Sequence, residues 1–176
     1  GWLPIKNYTT CVFPEHEQIN GQYIRGNFEW KNNPCWACQM ACCKTMTITE
    51  GEYAGFTGEE PEYEGMAGMG SQLGITDAGA VTFLSNHADN IGVDVNELSW
   101  LLGWAIECSI NGWITPDQLD GLSPTWDDPA SCKTLMDKIA LREGCGAWLA
   151  EGVMRASQHI GGPAAEAAIY TEKGHS

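Results

Sequence analysis

Residues 94–111 read DVNELSWLLGWAIECSIN. Val95, Leu98, Leu101, Leu102, Ala105 and Ile106 recur at the three- and four-residue spacing of one helical face. Trp100 and Trp104 widen that stripe, so the spacing predicts a helix buried on most sides. Asp94 stands where a side-chain oxygen caps a first turn, and Gly112 where a helix stops. The same punctuation recurs on either side. Thr76-Asp77 caps a helix running to Asn90, with Gly92 just past it. Thr115-Pro116 starts a short helix, with proline at the position where its missing N–H costs nothing. Asp128-Pro129 opens another through Leu141 to Glu143, ended by Gly144 and Gly146. Residues 147–159 form a last long one before Gly161-Gly162-Pro163.

Upstream the signals differ. Residues 1–34 are rich in turn residues (Phe13-Pro14, Asn20-Gly21, Gly26-Asn27) and read as extended loops with a short hairpin. Residues 45–65, TMTITEGEYAGFTGEEPEYEG, predict short strands over 46–49 and 53–56. The expected fold is mainly α: an irregular, cysteine-containing segment with little β over residues 1–70, then a helical portion over residues 71–176.

Composition bounds the function. The 176 residues are 43% hydrophobic with eight tryptophans, enough for a sizeable core. The formal net charge is −14 and no basic run is present, which argues against nucleic acid and against an anionic membrane surface. The longest apolar run, LSWLLGWAI from residue 98, stops at Glu107, well short of a membrane span. No apolar signal core or initiator Met opens the chain, and its last residues, YTEKGHS, carry no structural punctuation. We expect a piece of a longer polypeptide, in a reducing, cytoplasmic compartment.

Residues 33–44, NPCWACQMACCK, hold four of the eight cysteines. A secreted disulfide scaffold spreads its cysteines, whereas here half sit together. Cys11, Cys108, Cys132 and Cys145 lie in apolar or helical surroundings, where a free thiol packs as a small hydrophobe. Cys35, Cys38 and Cys42 form a C-x-x-C-x-x-x-C pattern. Thiolates select soft metals, zinc or an iron–sulfur cluster. Zinc ordinarily takes a second cysteine pair or spaced histidines, and neither is present. A cubane cluster takes three local cysteines and a distant fourth, which fits better. Buried free thiols remain the alternative, and Cys43 has no assigned role.

Further motifs follow in order: EEPEYEGMAGMGSQLGI over residues 59–75, DNIGVD over 89–94, and IALREGCGAWLAEGVMRASQHIGG over 139–162. Together with NPCWACQMAC, LPIKNY near the start and YTEKG near the end, they resemble the tungsten-dependent aldehyde ferredoxin oxidoreductase family along nearly the whole chain. The resemblance implies helical domains of that type and a bis-pterin tungsten (or molybdenum) enzyme with a 4Fe-4S cluster. It assigns Cys35, Cys38 and Cys42 to the cluster, and Asp89, Gly92, Val93 and Asp94 to pterin binding, with Val where Leu is usual. It assigns Glu64, the second Glu of PEYE, to the acidic position beside the metal.

Physical chemistry is consistent with those roles. A carboxylate accepts two N–H donors of a pterin edge in a planar fork, although Asp94 also suits a helix cap. Gly92 allows close backbone approach or merely ends a helix. If residues 59–64 are extended, Glu62 and Glu64 face opposite ways, so at most one faces the metal. A buried carboxylate there can exchange a proton. His87, His159 and His175 carry no assignment.

One departure stands out. The family's second D-x-x-G-L-C motif, which supplies the fourth cluster ligand, is absent, and DQLDGL at 117–122 is followed by Ser123. The remainder of the same polypeptide, a small-molecule substrate, and ferredoxin or an electron-transfer subunit are the expected partners. The expected reaction interconverts aldehydes and carboxylic acids. Alternatives are a benzoyl-CoA reductase-type tungsten subunit, a non-catalytic iron–sulfur electron-transfer module, and a zinc-stabilised interaction domain.

Overall fold

In the computed structural model, which describes residues 3–176, the 94–111 stretch is helix α4, Val95–Ile110. Asp94 caps it, accepting from the Glu97 N–H at 2.8 Å. Leu98, Leu101, Leu102, Trp104, Ala105 and Ile106 are all buried. The Trp104 indole N–H donates to the Ala164 carbonyl at 2.6 Å, so this large ring is both desolvated and satisfied.

Helix α3, Ala78–Ile91, precedes it. Asp77 caps α3 by accepting from Gly79 N (2.6 Å) and Ala80 N (3.2 Å). Gly92 ends it in the left-handed region at φ 72°. The Gly92 N–H donates to the Asp89 carbonyl and the Val93 N–H to the Ala88 carbonyl. That arrangement satisfies the last carbonyls of α3 and turns the chain directly into the cap of α4.

Helix α5, Pro129–Leu141, is capped by Asp128 through the Ser131 N–H at 3.0 Å. The segment at Thr115 is a 3-10 turn, Pro116–Leu119, with a reciprocal capping box between Thr115 and Gln118. The single long helix expected over 147–159 is two: α6, Gly146–Leu149, and α7, Gly152–Ile160. The break lies at Gly152, at φ 85°. There Glu97 of α4 accepts from the Val153 N–H at 2.7 Å, capping α7 from another element. Helix α8, Gly162–Glu166, follows.

The first third differs from the expectation of loops. A 3-10 turn, Pro14–Ile19, leads into helix α1, Gly21–Asn27, which Asn20 caps through the Tyr23 N–H at 2.8 Å. Three antiparallel strands follow in the order β1 (Glu29–Asn32), β2 (Lys44–Thr47), β3 (Thr57–Glu59). Trp30 pairs with Met46, and Met46 with Gly58. The PEYE segment is not extended. Helix α2, Tyr63–Met69, starts inside it and packs against α3 and α4.

The main core gathers residues of α2 to α7 and takes Ile5, Phe13 and Ile19 from the amino-terminal third. A smaller cluster, Ile24, Phe28, Met46, Ile48 and Ala78, seats the sheet between α1 and the start of α3. Among the described residues, no helix is long and apolar enough to cross a membrane.

Candidate functional site

The cysteine motif occupies the loop 33–43 between β1 and β2. Each inter-cysteine interval contains one alanine in the left-handed region, Ala37 at φ 59° and Ala41 at φ 46°. These reversals fold the loop back on itself. Its base is tied by the Asn33 N–H to the Cys43 carbonyl (3.0 Å), and its first turn by the Cys38 N–H to the Cys35 carbonyl (2.9 Å). Lys44 is buried and donates to the carbonyls of Ala41 (2.5 Å) and Cys42 (3.0 Å). Its ammonium also lies 5.9 Å from the Trp30 ring centroid.

Cys35 and Cys42 are exposed and Cys38 half-exposed, so all three are within reach of an incoming group. Cys43 is half-buried, and burial, followed by the charges of Glu59, Cys35 and Cys42, pushes its thiol up. The donor set, soft thiols on one closed loop, suits an iron–sulfur cluster in kind. Among the described residues, no three Cys, His, Asp or Glu side chains converge as a ready-made metal site.

All eight cysteines are free. Burial raises the thiols of Cys108 and Cys132 to about 12 and that of Cys145 to about 11, as inert packing groups. Cys11, expected in the same class, is exposed.

The segment 59–64 links the loop to the acidic residues. Cys42 and Cys43 line a cavity of about 520 Å³ whose walls include Glu59, Glu60, Pro61 and Glu62. Those four residues also line a cleft of about 470 Å³ that contains Glu64 and Asp89. The segment is thus a shared partition between the cysteine side and the Glu64–Asp89 side.

Its charges are unequally employed. Glu60 holds Arg25 in a two-pronged pair, at 2.6 and 2.8 Å. Glu64 sits in the first turn of α2, where its charge also suits the helix dipole. The Glu64 and Asp89 carboxylates have no hydrogen-bond or ion-pair partner among the described residues, and both are exposed. The expected buried carboxylate is therefore an exposed one here. The helical turn at Tyr63 also replaces the alternation that an extended segment would have given Glu62 and Glu64.

The expected pterin residues lie at two openings. Asp89, on the last turn of α3, faces the cleft with Glu64. Gly92, exposed, and Val93, half-buried against the main core, form the turn that follows. Asp94 commits one oxygen to capping α4 and lines a different, shallow opening with Glu97 and residues 150–152 and 173–175. Both aspartates offer a free oxygen, and Gly92 carries no side chain to obstruct a planar ligand, so the turn fits such a group. Sequence reasoning missed Asn86 and Lys44. Each looks like an ordinary polar residue in the sequence, and only tertiary contact gives it a task.

A family model described as aldehyde ferredoxin oxidoreductase, domains 2 and 3, matches residues 1–176. The tungsten-containing aldehyde ferredoxin oxidoreductase of Pyrococcus furiosus is 32% identical over 165 residues, covering 93% of this chain and 26% of that protein. The protein of the same name from Thermococcus kodakarensis is 30% identical over 169 residues, with the same coverage. The WOR-like subunit of an aliphatic sulfonate oxidoreductase from Pyrococcus furiosus is 34% identical over 162 residues, covering 89% of this chain and 25% of that protein. The chain thus spans about a quarter of the length of the relatives it matches. Among solved structures, the active-site complex of a benzoyl coenzyme A reductase with 1,5-dienoyl-CoA matches 99% of this chain and 26% of its own, with TM-score 0.77 and 20% identity. That likeness concerns the fold alone.

Proposed function

Since this chain belongs to the aldehyde ferredoxin oxidoreductase family, we propose that it forms the middle part of a tungsten (or molybdenum) bis-pterin oxidoreductase. The reaction interconverts aldehydes and carboxylic acids, and electrons leave through a 4Fe-4S cluster to ferredoxin or an electron-transfer subunit. The bound metal–pterin supplies the two-electron redox chemistry. Residues 71–176 carry the pterin side and residues 1–70 the cluster side, and a longer polypeptide completes both. A cytoplasmic, reducing setting suits the exposed thiols.

The chain's own residues have distinct tasks in this reading. Cys35, Cys38 and Cys42 hold the cluster, on a loop whose backbone Lys44 fixes. Asp89 and Asp94 would accept pterin N–H groups through their free oxygens, and Gly92 and Val93 would form the turn that admits the cofactor. Glu64 accepts or returns the substrate's proton from the wall of the cleft it shares with Asp89. The observation that carries the reading is the common partition, residues 59–62, between the cavity of Cys42 and the cleft of Glu64 and Asp89. It supports one continuous centre rather than separate sites.

The test is metal and pterin analysis of the full-length protein. Tungsten or molybdenum, iron, sulfide and fluorescent oxidised pterin are expected together. Iron and sulfide without pterin would leave only an electron-transfer module, and zinc alone would leave an interaction domain. A second reading, reduction of an aryl-thioester ring, draws on the fold likeness to the benzoyl coenzyme A reductase complex. Parallel assays with aldehydes and with benzoyl-CoA separate the two.

A further inference from the structure

We infer that Asn86 is a positioning residue, which splints the 59–64 segment to α3 and so holds Glu64 across the cleft from Asp89. The argument starts at the sheet edge. In the β2–β3 ladder Glu59 lies opposite Thr45, while the neighbouring Glu60 N–H donates to the Lys44 carbonyl at 2.8 Å. Alternation along an antiparallel strand then turns the N–H and C=O of Glu59 away from β2, toward the open edge. Nothing in the sheet satisfies them there.

The Asn86 side chain does. Its Oδ1 accepts from the Glu59 N–H at 2.7 Å, and its Nδ2 donates to the Glu59 carbonyl at 2.9 Å. One amide therefore reproduces the donor–acceptor pair of a neighbouring strand residue. The same Nδ2 donates to the Thr82 carbonyl one turn back on α3, at 2.8 Å, which fixes the side chain's direction. Asn86 is 8% exposed, so water does not compete with this clamp.

Two glycines admit the close approach. A Cβ at Gly58 would run into Asn86 Oδ1, and a Cβ at Gly65 would run into Ser85 Oγ. The segment is thus hydrogen-bonded to α3 at its start, on β3, and packed closely against α3 just beyond its end, in α2, so that it is pinned between the two. Glu64 lies inside the pinned interval, and Asp89 lies one turn beyond Asn86 on the same helix. Both carboxylates are referred to one rigid element, which is what a reacting geometry requires.

The inference rests on the reading of Glu64 as the proton-exchanging group, and the test keeps the two apart. In the full-length, metal-loaded enzyme, Asn86→Ala is expected to lower kcat about 10- to 100-fold with little change in KM, the scale of a displacement near 1 Å. Hydrogen exchange of the Glu60 amide, which is bonded to the Lys44 carbonyl and not to Asn86, should accelerate at least about tenfold while α4 keeps its protection. Glu64→Gln combined with Asn86→Ala should be no slower than Glu64→Gln alone, because a residue acting through Glu64 adds nothing once Glu64 is gone.

Unchanged exchange at the Glu60 amide would overturn the inference, as would losses that simply multiply in the double variant. A wild-type rate for Glu64→Gln together with accelerated exchange would leave the splint standing and remove the acid–base role instead. If Asn86→Ala does not fold, Asn86→Asp serves. It keeps size and the acceptor for the Glu59 N–H but loses both donated bonds, and the same three readouts apply.

Discussion

Asp120 shows how much one exposed carboxylate can organise. Its backbone is left-handed, at φ 55°, and its Oδ2 accepts from Lys138 Nζ (2.9 Å) and from the Cys145 N–H (2.8 Å). The Lys138 hydrogen bond, then the Cys145 amide, hold its carboxyl down to about 2, below the ordinary 3.8. A group lowered on folding contributes stability that is complete above pH 3.8 and is lost as pH falls from there toward 2. Asp120→Asn should therefore lower denaturant stability by a constant amount above pH 3.8, with the loss shrinking as pH falls toward 2, so that the acid limb is flatter between those values. An unaltered acid limb would show that the contact does not count. Gly144 completes the arrangement, since a Cβ there would strike the Asp120 carboxylate. DQLDGL, which in sequence is followed by Ser123 where the family motif has cysteine, supplies the receptor of the turn before α6.

At the scale of elements, Asp94 carries two readings that a pair of variants separates. Asp94→Ala removes the cap of α4 and should cost about 1 kcal/mol in denaturant unfolding. Asp94→Asn keeps the cap, so stability should hold, while pterin content of the full-length protein falls if the charge binds the cofactor. Equal pterin content in both would reduce Asp94 to a cap.

Helices α3, α4 and α5 were legible because their caps are local: Asp77, Asp94 and Asp128 each bond within three residues. The split between α6 and α7 was not, because Glu97, the group that caps α7, lies 56 residues away. The PEYE helix could have been read. Pro61 and an acidic first turn precede a run of small residues, although the glycines there lower helix propensity. The strand expected over 46–49 overlaps β2, whereas 53–56 is a turn and β3 starts at Thr57, because the register with β2 and not the local sequence sets where that strand begins. Among the site residues, the motif positions were legible by resemblance, whereas Asn86 and Lys44 act only through tertiary contacts.

For the whole molecule, Trp104 is the hub. It is completely buried on α4, its indole nitrogen reaches the turn of α8, and its ring meets Trp148 edge-on, with centroids 6.4 Å apart. Trp104→Ala should destabilise by about 3–5 kcal/mol, enough to threaten a domain of ordinary stability. Trp104→Phe fills more of the space and leaves the Ala164 carbonyl unpaired, so a smaller loss is expected in the same melts. The loss should reach α7 and α8 together, since both meet at this ring's surroundings.

Lys44 has a consequence for assembly. Because the Lys44 ammonium secures the carbonyls of Ala41 and Cys42, the backbone of the thiol-bearing hairpin is held by the chain's own hydrogen bonds. What an arriving group still has to do is draw the three thiols together, and blocking that amine by acylation would remove both bonds and loosen the backbone that carries them.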